Sequence, residues 1–147
     1  MLLNPLFILF FMPLRIILRK IERPFPGSPE DDFTFFCRSF GFFEQIDKEK
    51  TASRVFREIV VATEQGNGIS SQDLSKKLSM SRGAINNHLH NLLYSGLVMK
   101  EGRLYKCRAG SLQRLMDELQ ADIERIFFEL RKTAVSIDKE VWKESKE

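Results

Sequence analysis

The sequence predicts a mainly α-helical chain with a small β-hairpin and a long C-terminal helix, and three observations lead there. Apolar residues recur at helical spacing from Val55 to Leu93, broken by one glycine-rich turn and two serine caps. Two short runs, 97–100 and 103–108, flank Glu101-Gly102 as the strands of a hairpin flank an x-Gly turn. Residues 111–143 hold neither Pro nor Gly and carry an apolar side chain every three or four positions.

Composition supports a folded chain. With 147 residues, 43% hydrophobic and 29% charged, the length suits one domain with appendages and excludes wholesale disorder. Two cysteines, Cys37 and Cys107, exclude a disulfide framework. The net charge of +3 is small, but it is unevenly spread. Residues 1–50 balance, residues 51–109 hold nine Lys and Arg against four Asp and Glu, and residues 110–147 are net negative. A local cationic excess is what a polyanion-binding module needs, because neutralising phosphates supplies much of its affinity.

Residues 1–23 form an apolar N-terminal arm. Asn4-Pro5 suits a helix start and Pro13 a break or kink. Beyond it, Leu14, Ile17, Leu18 and Ile21 predict a second helical face, with Arg15, Arg19, Lys20 and Arg23 elsewhere on the wheel. No Lys or Arg precedes the apolar run and no small-residue cleavage site follows it, so a secretory signal is not expected. The run is also shorter than the roughly 20 apolar residues of a spanning helix. Two readings remain: an arm that packs on its own domain or on a partner subunit, and an interfacial anchor with its basic cluster at anionic headgroups. The expected location is cytoplasmic, peripheral to the membrane on the second reading.

Residues 24–50 read as a linker and a Phe-rich segment. PFPGSPEDD (24–32) predicts a linker or tight surface loop. FTFFCRSFGFF (33–43) predicts a short helix or extended piece whose rings fill a groove, with Cys37 as a buried thiol.

The central unit spans 51–109. Val55, Ile59, Val60 and Ala62 predict a helix ending at Gln65-Gly66-Asn67-Gly68. Ser70-Ser71-Gln72-Asp73 is a capping box opening a second helix with Leu74 and Leu78 inward. Ser81 caps a third, whose stripe is Ile85, Leu89, Leu92 and Leu93 and whose end is Gly96. A helix, a helix-turn-helix and a basic hairpin together make a winged helix.

The stretch ISSQDLSKKLSMSRGAINNHLHNLLYSGLVMKEGRLYKCR resembles the winged helix-turn-helix of bacterial and archaeal transcription regulators of the ArsR/MarR/TrmB type. The matching skeleton is Ile69-Ser70, Leu74, Leu78, Met80-Ser81, Ile85, His88-Leu89, Leu92, Gly96-Leu97-Val98 and the Gly102 hairpin. The resemblance implies that the third helix enters a DNA major groove and that the hairpin is a wing on the phosphate backbone or minor groove. It also implies a half-buried His88 beside the wing.

On a DNA-binding reading the base-reading residues are the outward Ser81, Arg82, Gly83, Asn86, Asn87 and His90. Asn86 and Asn87 are poor mid-helix residues, which is easier to explain if something reads them. Backbone contacts fall to Lys76 and Lys77 and to the wing residues Lys100, Arg103, Lys106 and Arg108, with Arg54 and Arg57 as further phosphate candidates.

Residues 110–147 predict a coiled-coil helix. Leu112, Met116, Leu119, Ile123, Ile126, Leu130 and Ile137 alternate in steps of four and three, with Thr133 in the one gap. The expected role of this seam is a homodimer interface, which would set two reading helices about one DNA turn apart. The alternative is intrachain pairing with the N-terminal arm.

The sequence contains no GxGxxG, Walker loop, CxxC or HExxH, so an enzyme is not expected, nor a metal or cofactor. The reading that results is a homodimeric, sequence-specific double-stranded DNA-binding transcription regulator. Its rivals are a membrane-associated regulator tethered by residues 1–23 and a winged-helix protein-interaction scaffold that does not bind DNA.

Overall fold

Serine and proline set the first helix of the computed structural model, which describes residues 15–23, 25–41 and 50–146. α1 (Pro29–Ser39) opens on a reciprocal capping box. The Ser28 hydroxyl accepts from the Asp31 N–H at 3.1 Å, and the Asp31 carboxylate accepts from the Ser28 N–H at 3.0 Å. Glu30, Asp31 and Asp32 put negative charge in the first turn, against the positive end of the helix dipole. The stretch 24–32 is therefore only partly the expected loop: Pro29 to Asp32 belong to the helix.

α2 (Thr51–Glu64) buries Ala52, Val55, Phe56, Ile59 and Ala62 along one face. Phe56 takes the centre of that face, and Val60, expected inward, is half-buried. Phe33 and Phe36 of α1 stack on the Phe56 ring at 6.0 and 6.2 Å between centroids. The Phe-rich segment thus fills a groove as a helix, with Cys37 fully buried.

Residues 15–23 depart from the helical expectation: they form neither helix nor strand. Their backbone bonds go elsewhere. The Arg15 N–H donates to the Tyr94 carbonyl and the Arg19 N–H to the Ser39 carbonyl, both at 2.8 Å. These donors are satisfied by other elements, so the local helix is not needed to pair them. The Asn4-Pro5 start, the Pro13 break and Phe42 and Phe43 lie outside the described residues.

The short strand β1 (Ile69–Ser70) leads into α3 (Ser71–Leu78), where the Ser70 hydroxyl accepts from the Asp73 N–H at 3.1 Å. Leu74 and Leu78 are buried. A three-residue turn, Ser79-Met80-Ser81, leads to α4 (Arg82–Tyr94), and the Ser81 hydroxyl accepts from the Ala84 N–H at 3.2 Å. Ile85, Leu89 and Leu92 of α4 face inward onto α2 and α3.

β2 (Val98–Glu101) and β3 (Leu104–Cys107) form the hairpin, with β1 on the other side of β3 in a three-stranded antiparallel sheet. Glu101 pairs with Leu104, so the two-residue loop is Gly102-Arg103, one residue later than expected. Gly102 supplies the positive φ (63°) that such a loop requires at its first position. β1 was not expected; it pairs Ile69 with Tyr105 and Ser70 with Leu104. The approach is close, for a Cβ on Gly68 would lie 2.7 Å from the Leu104 Cβ. Thr63 ties α2 to this sheet: its hydroxyl donates to the Ile59 carbonyl (2.7 Å) and accepts from the Cys107 N–H (2.9 Å).

The second compact unit begins at Leu112. Its helix α5 (Leu112–Glu144) is 33 residues long, about 50 Å at 1.5 Å per residue. The chain is thus mainly helical, with a small antiparallel sheet and a long C-terminal helix. Among the described residues, no helix is long and apolar enough to cross a membrane.

Candidate nucleic-acid interface

Capping and the apolar stripe together fix which face of α4 points out. Because Ile85, Leu89 and Leu92 are buried, the residues between them emerge: Ser81, Arg82, Gly83, Asn86, Asn87 and His90 are all exposed. The Ser81 hydroxyl is engaged in its cap. Among the described residues a Cβ on Gly83 would meet nothing within 4 Å, so no contact there calls for a glycine in this helical turn.

The six do not form one uniform surface. Asn87 and His90 also line a cleft of about 700 Å³ with Arg15, Ile17 and Arg19, whereas Ser81, Arg82, Gly83 and Asn86 do not. His90 packs edge-on to Tyr94 at 4.5 Å between rings. His88 is half-buried, and its Nε2 lies 3.0 Å from the Thr51 hydroxyl at the start of α2. The register of α4 turns His88 toward α2, where a polar partner exists.

The basic residues divide by what already holds them. Arg103 is exposed in the hairpin loop, and Lys76 and Lys100 are exposed as well. Lys100 stands over the Tyr105 ring, 5.5 Å from its centroid, as expected from their opposite positions in the ladder. Lys106 pairs with Glu101, and Lys77 pairs with Glu58 at 2.6 Å. Arg108 is half-buried. Arg57, a phosphate candidate by sequence, instead grips Glu30 with two bonds of 2.8 and 2.7 Å and lies over Phe33. That bidentate guanidinium holds the Glu30 carboxyl below its ordinary value.

No family model matches the chain, and no curated protein matches it.

The two thiols are sheltered. Burial pushes Cys37 up to about 12, with the nearby Arg57 charge opposing. Burial also raises Cys107, partly offset by its bond with Thr63. Both are therefore protonated near neutral pH, which disfavours thiolate chemistry.

Along α5 the seam residues differ in exposure. Leu119 is buried. Leu112, Met116 and Ile123 are half-buried, and Ile126, Leu130 and Ile137 are exposed. Leu115, which widens the seam in the sequence reading, is buried too, and so is Asp122, which that reading did not name. Sequence reasoning also missed the cleft. Arg15, Ile17 and Arg19 reach it as alternate residues, the period of extended chain, which a helical reading hides.

Proposed function

We propose that the protein is a winged helix-turn-helix DNA-binding protein that acts as a homodimeric transcription regulator. The observation carrying this reading is the first turn of α4. Arg82 there and Asn86 at the start of the next turn reach solvent, beside a glycine that no contact among the described residues requires. Glycine in a helix costs about 1 kcal/mol relative to alanine, and close approach of a partner to the backbone is a reason to keep it. Arg and Asn are the side chains that pair at two points with guanine and adenine. α3, the three-residue turn and α4 supply the helix-turn-helix, and Arg103 at the hairpin loop supplies a wing contact. The exposed Ile126, Leu130 and Ile137 supply an apolar face for a second copy.

The test is fluorescence anisotropy of the full chain on random-sequence duplex DNA at two salt concentrations. Affinity is expected to fall roughly 10²–10³-fold between about 50 and 200 mM salt, the response of about five phosphate contacts. The triple variant Arg82→Ala/Asn86→Ala/Arg103→Ala is expected to lose binding while keeping its circular dichroism. Absence of binding by the wild type at low salt would overturn the regulator reading in favour of a protein-interaction scaffold.

A further inference from the structure

The apolar arm, to which the DNA reading gives no role, joins the described structure at a surface of matching character. Residues 2–14 carry no charged side chain, and the next nine hold Arg15, Arg19, Lys20 and Arg23 against one acid, Glu22. Among its described residues the first unit exposes five large apolar side chains, and three of them, Ile17, Leu18 and Phe25, lie within eleven residues of Leu14. Phe25 is 97% exposed, a cost in water that contact with an apolar phase would remove. Arg15 and Lys20 are exposed in the same stretch, and among the described residues neither side chain enters an ion pair. Arg23, by contrast, is held by Asp32 at 2.9 Å.

The backbone fixes where the arm leaves. The Arg15 N–H donates to the Tyr94 carbonyl at the C-terminal end of α4. Arg82 lies twelve residues earlier, about 18 Å along the helix at 1.5 Å per residue. The arm therefore departs from the opposite end of α4 to the turn proposed to read DNA. Pro5 and Pro13 stand eight residues apart, so no unbroken helix of the roughly 20 residues that a crossing needs fits between them. Leucine and aromatic side chains followed by cations match the boundary of one leaflet, where apolar groups enter the acyl region and cations meet lipid phosphates. A protein groove would need acids placed for Arg15 and Lys20, and a neutral bilayer offers them no net charge. From this we infer that the arm, with Ile17, Leu18 and Phe25, docks on an anionic phospholipid surface, with Arg15 and Lys20 at the phosphates. This inference goes beyond the DNA reading and uses none of its residues.

The test floats the full chain with vesicles of phosphatidylcholine and phosphatidylglycerol and, in parallel, with vesicles of phosphatidylcholine alone. Binding is expected on the anionic vesicles and to be much weaker on the neutral ones. Arg15→Gln/Lys20→Gln should weaken binding to the anionic vesicles about 25-fold, roughly fivefold per cation. Ile8→Asp/Phe11→Asp, within the uncharged run, should abolish flotation while leaving the melting temperature without lipid unchanged. Arg82→Ala/Asn86→Ala/Arg103→Ala should keep flotation whatever it does to DNA binding, so the two readings fail separately. Absence of flotation on anionic vesicles would overturn the inference, and so would equal flotation on neutral ones. Flotation lost in the α4 and hairpin variant but kept in the arm variant would overturn it by placing lipid phosphate on the proposed DNA face. A lowered melting temperature in Ile8→Asp/Phe11→Asp would overturn it in favour of an arm packed on protein.

Discussion

α2 and the distal half of α5 carry the same helical rhythm of apolar residues and meet opposite fates. In α2 the rhythm is consumed within the chain: Phe56 is fully buried under the rings of Phe33 and Phe36, and Val55 and Ile59 are fully buried with it. In α5 every described residue after Ile123 is exposed, including Ile126, Leu130, Ile137 and Trp142. A periodic stripe states that a helix has a face to cover and is silent on what covers it. The number of elements within reach decides that. α2 lies against α4, α3 and two strands, whereas a 33-residue helix of about 50 Å extends its stripe well beyond its three buried residues.

The contrast can be broken most forcefully at its packed end. Phe56→Ala should destabilise the fold by about 3–5 kcal/mol, read as a lowered urea midpoint. An unchanged midpoint would mean that the first unit is not organised on that ring. At the open end, Ile126→Glu/Leu130→Glu/Ile137→Glu should leave that unit's stability nearly unchanged, since isolated surface changes stay within about 0.5 kcal/mol each. Light scattering should instead show the particle falling from twice the 17.1 kDa chain mass to a single chain. A wild type already at one chain mass would remove the second copy as the cover for this face.

Gly83→Ala sharpens the comparison within α4 because its two expected effects have opposite signs. Helix propensity should raise stability by about 0.5–1 kcal/mol, because a Cβ there meets nothing. DNA affinity should fall. A gain in both would show that the glycine serves no partner.

The smallest effect is expected at Glu30, whose exposed carboxylate pairs with Arg57. Its folded-state value is lowered from 4.5, so the stability it adds is present above that value and lost as pH falls through the folded one. Glu30→Gln should therefore narrow the gap to wild type in melting curves only on going below about pH 4.5. A gap constant down to pH 2 would show that the ion pair adds nothing.

Much of the first unit was legible because its signals are local. Ser70 and Ser81 cap the helices they were expected to cap, and Leu74, Leu78, Ile85, Leu89 and Leu92 are buried as their spacing required. The capping box at Ser28 was equally local, but a Pro- and acid-rich stretch looks the same at a loop and at a helix start until Ser28 and Asp31 are read together. β1 escaped because two residues show no period; beside it Gly68 leaves room for the Leu104 side chain, which a Cβ there would meet at 2.7 Å. The candidate interface was legible by type and incomplete by partner. Outwardness followed from the stripe, but nothing in the sequence near Lys77, Lys106 or Arg57 tells which of them is already paired.

The sequence by itself determined where α3 and α4 begin, which side of each is apolar, and that the chain turns back around Gly102. Those properties depend on neighbours within about four residues, through capping bonds, rotamer crowding and backbone freedom. The tertiary structure alone decided that residues 15–23 leave the helical path their spacing suggests, that Phe33 and Phe36 close on Phe56, and that a cleft opens between Arg15 and α4. Each of these joins groups far apart in sequence. There the winning conformation is set by which partners space brings together, and local propensity is too weak to oppose a satisfied backbone bond or a buried ring.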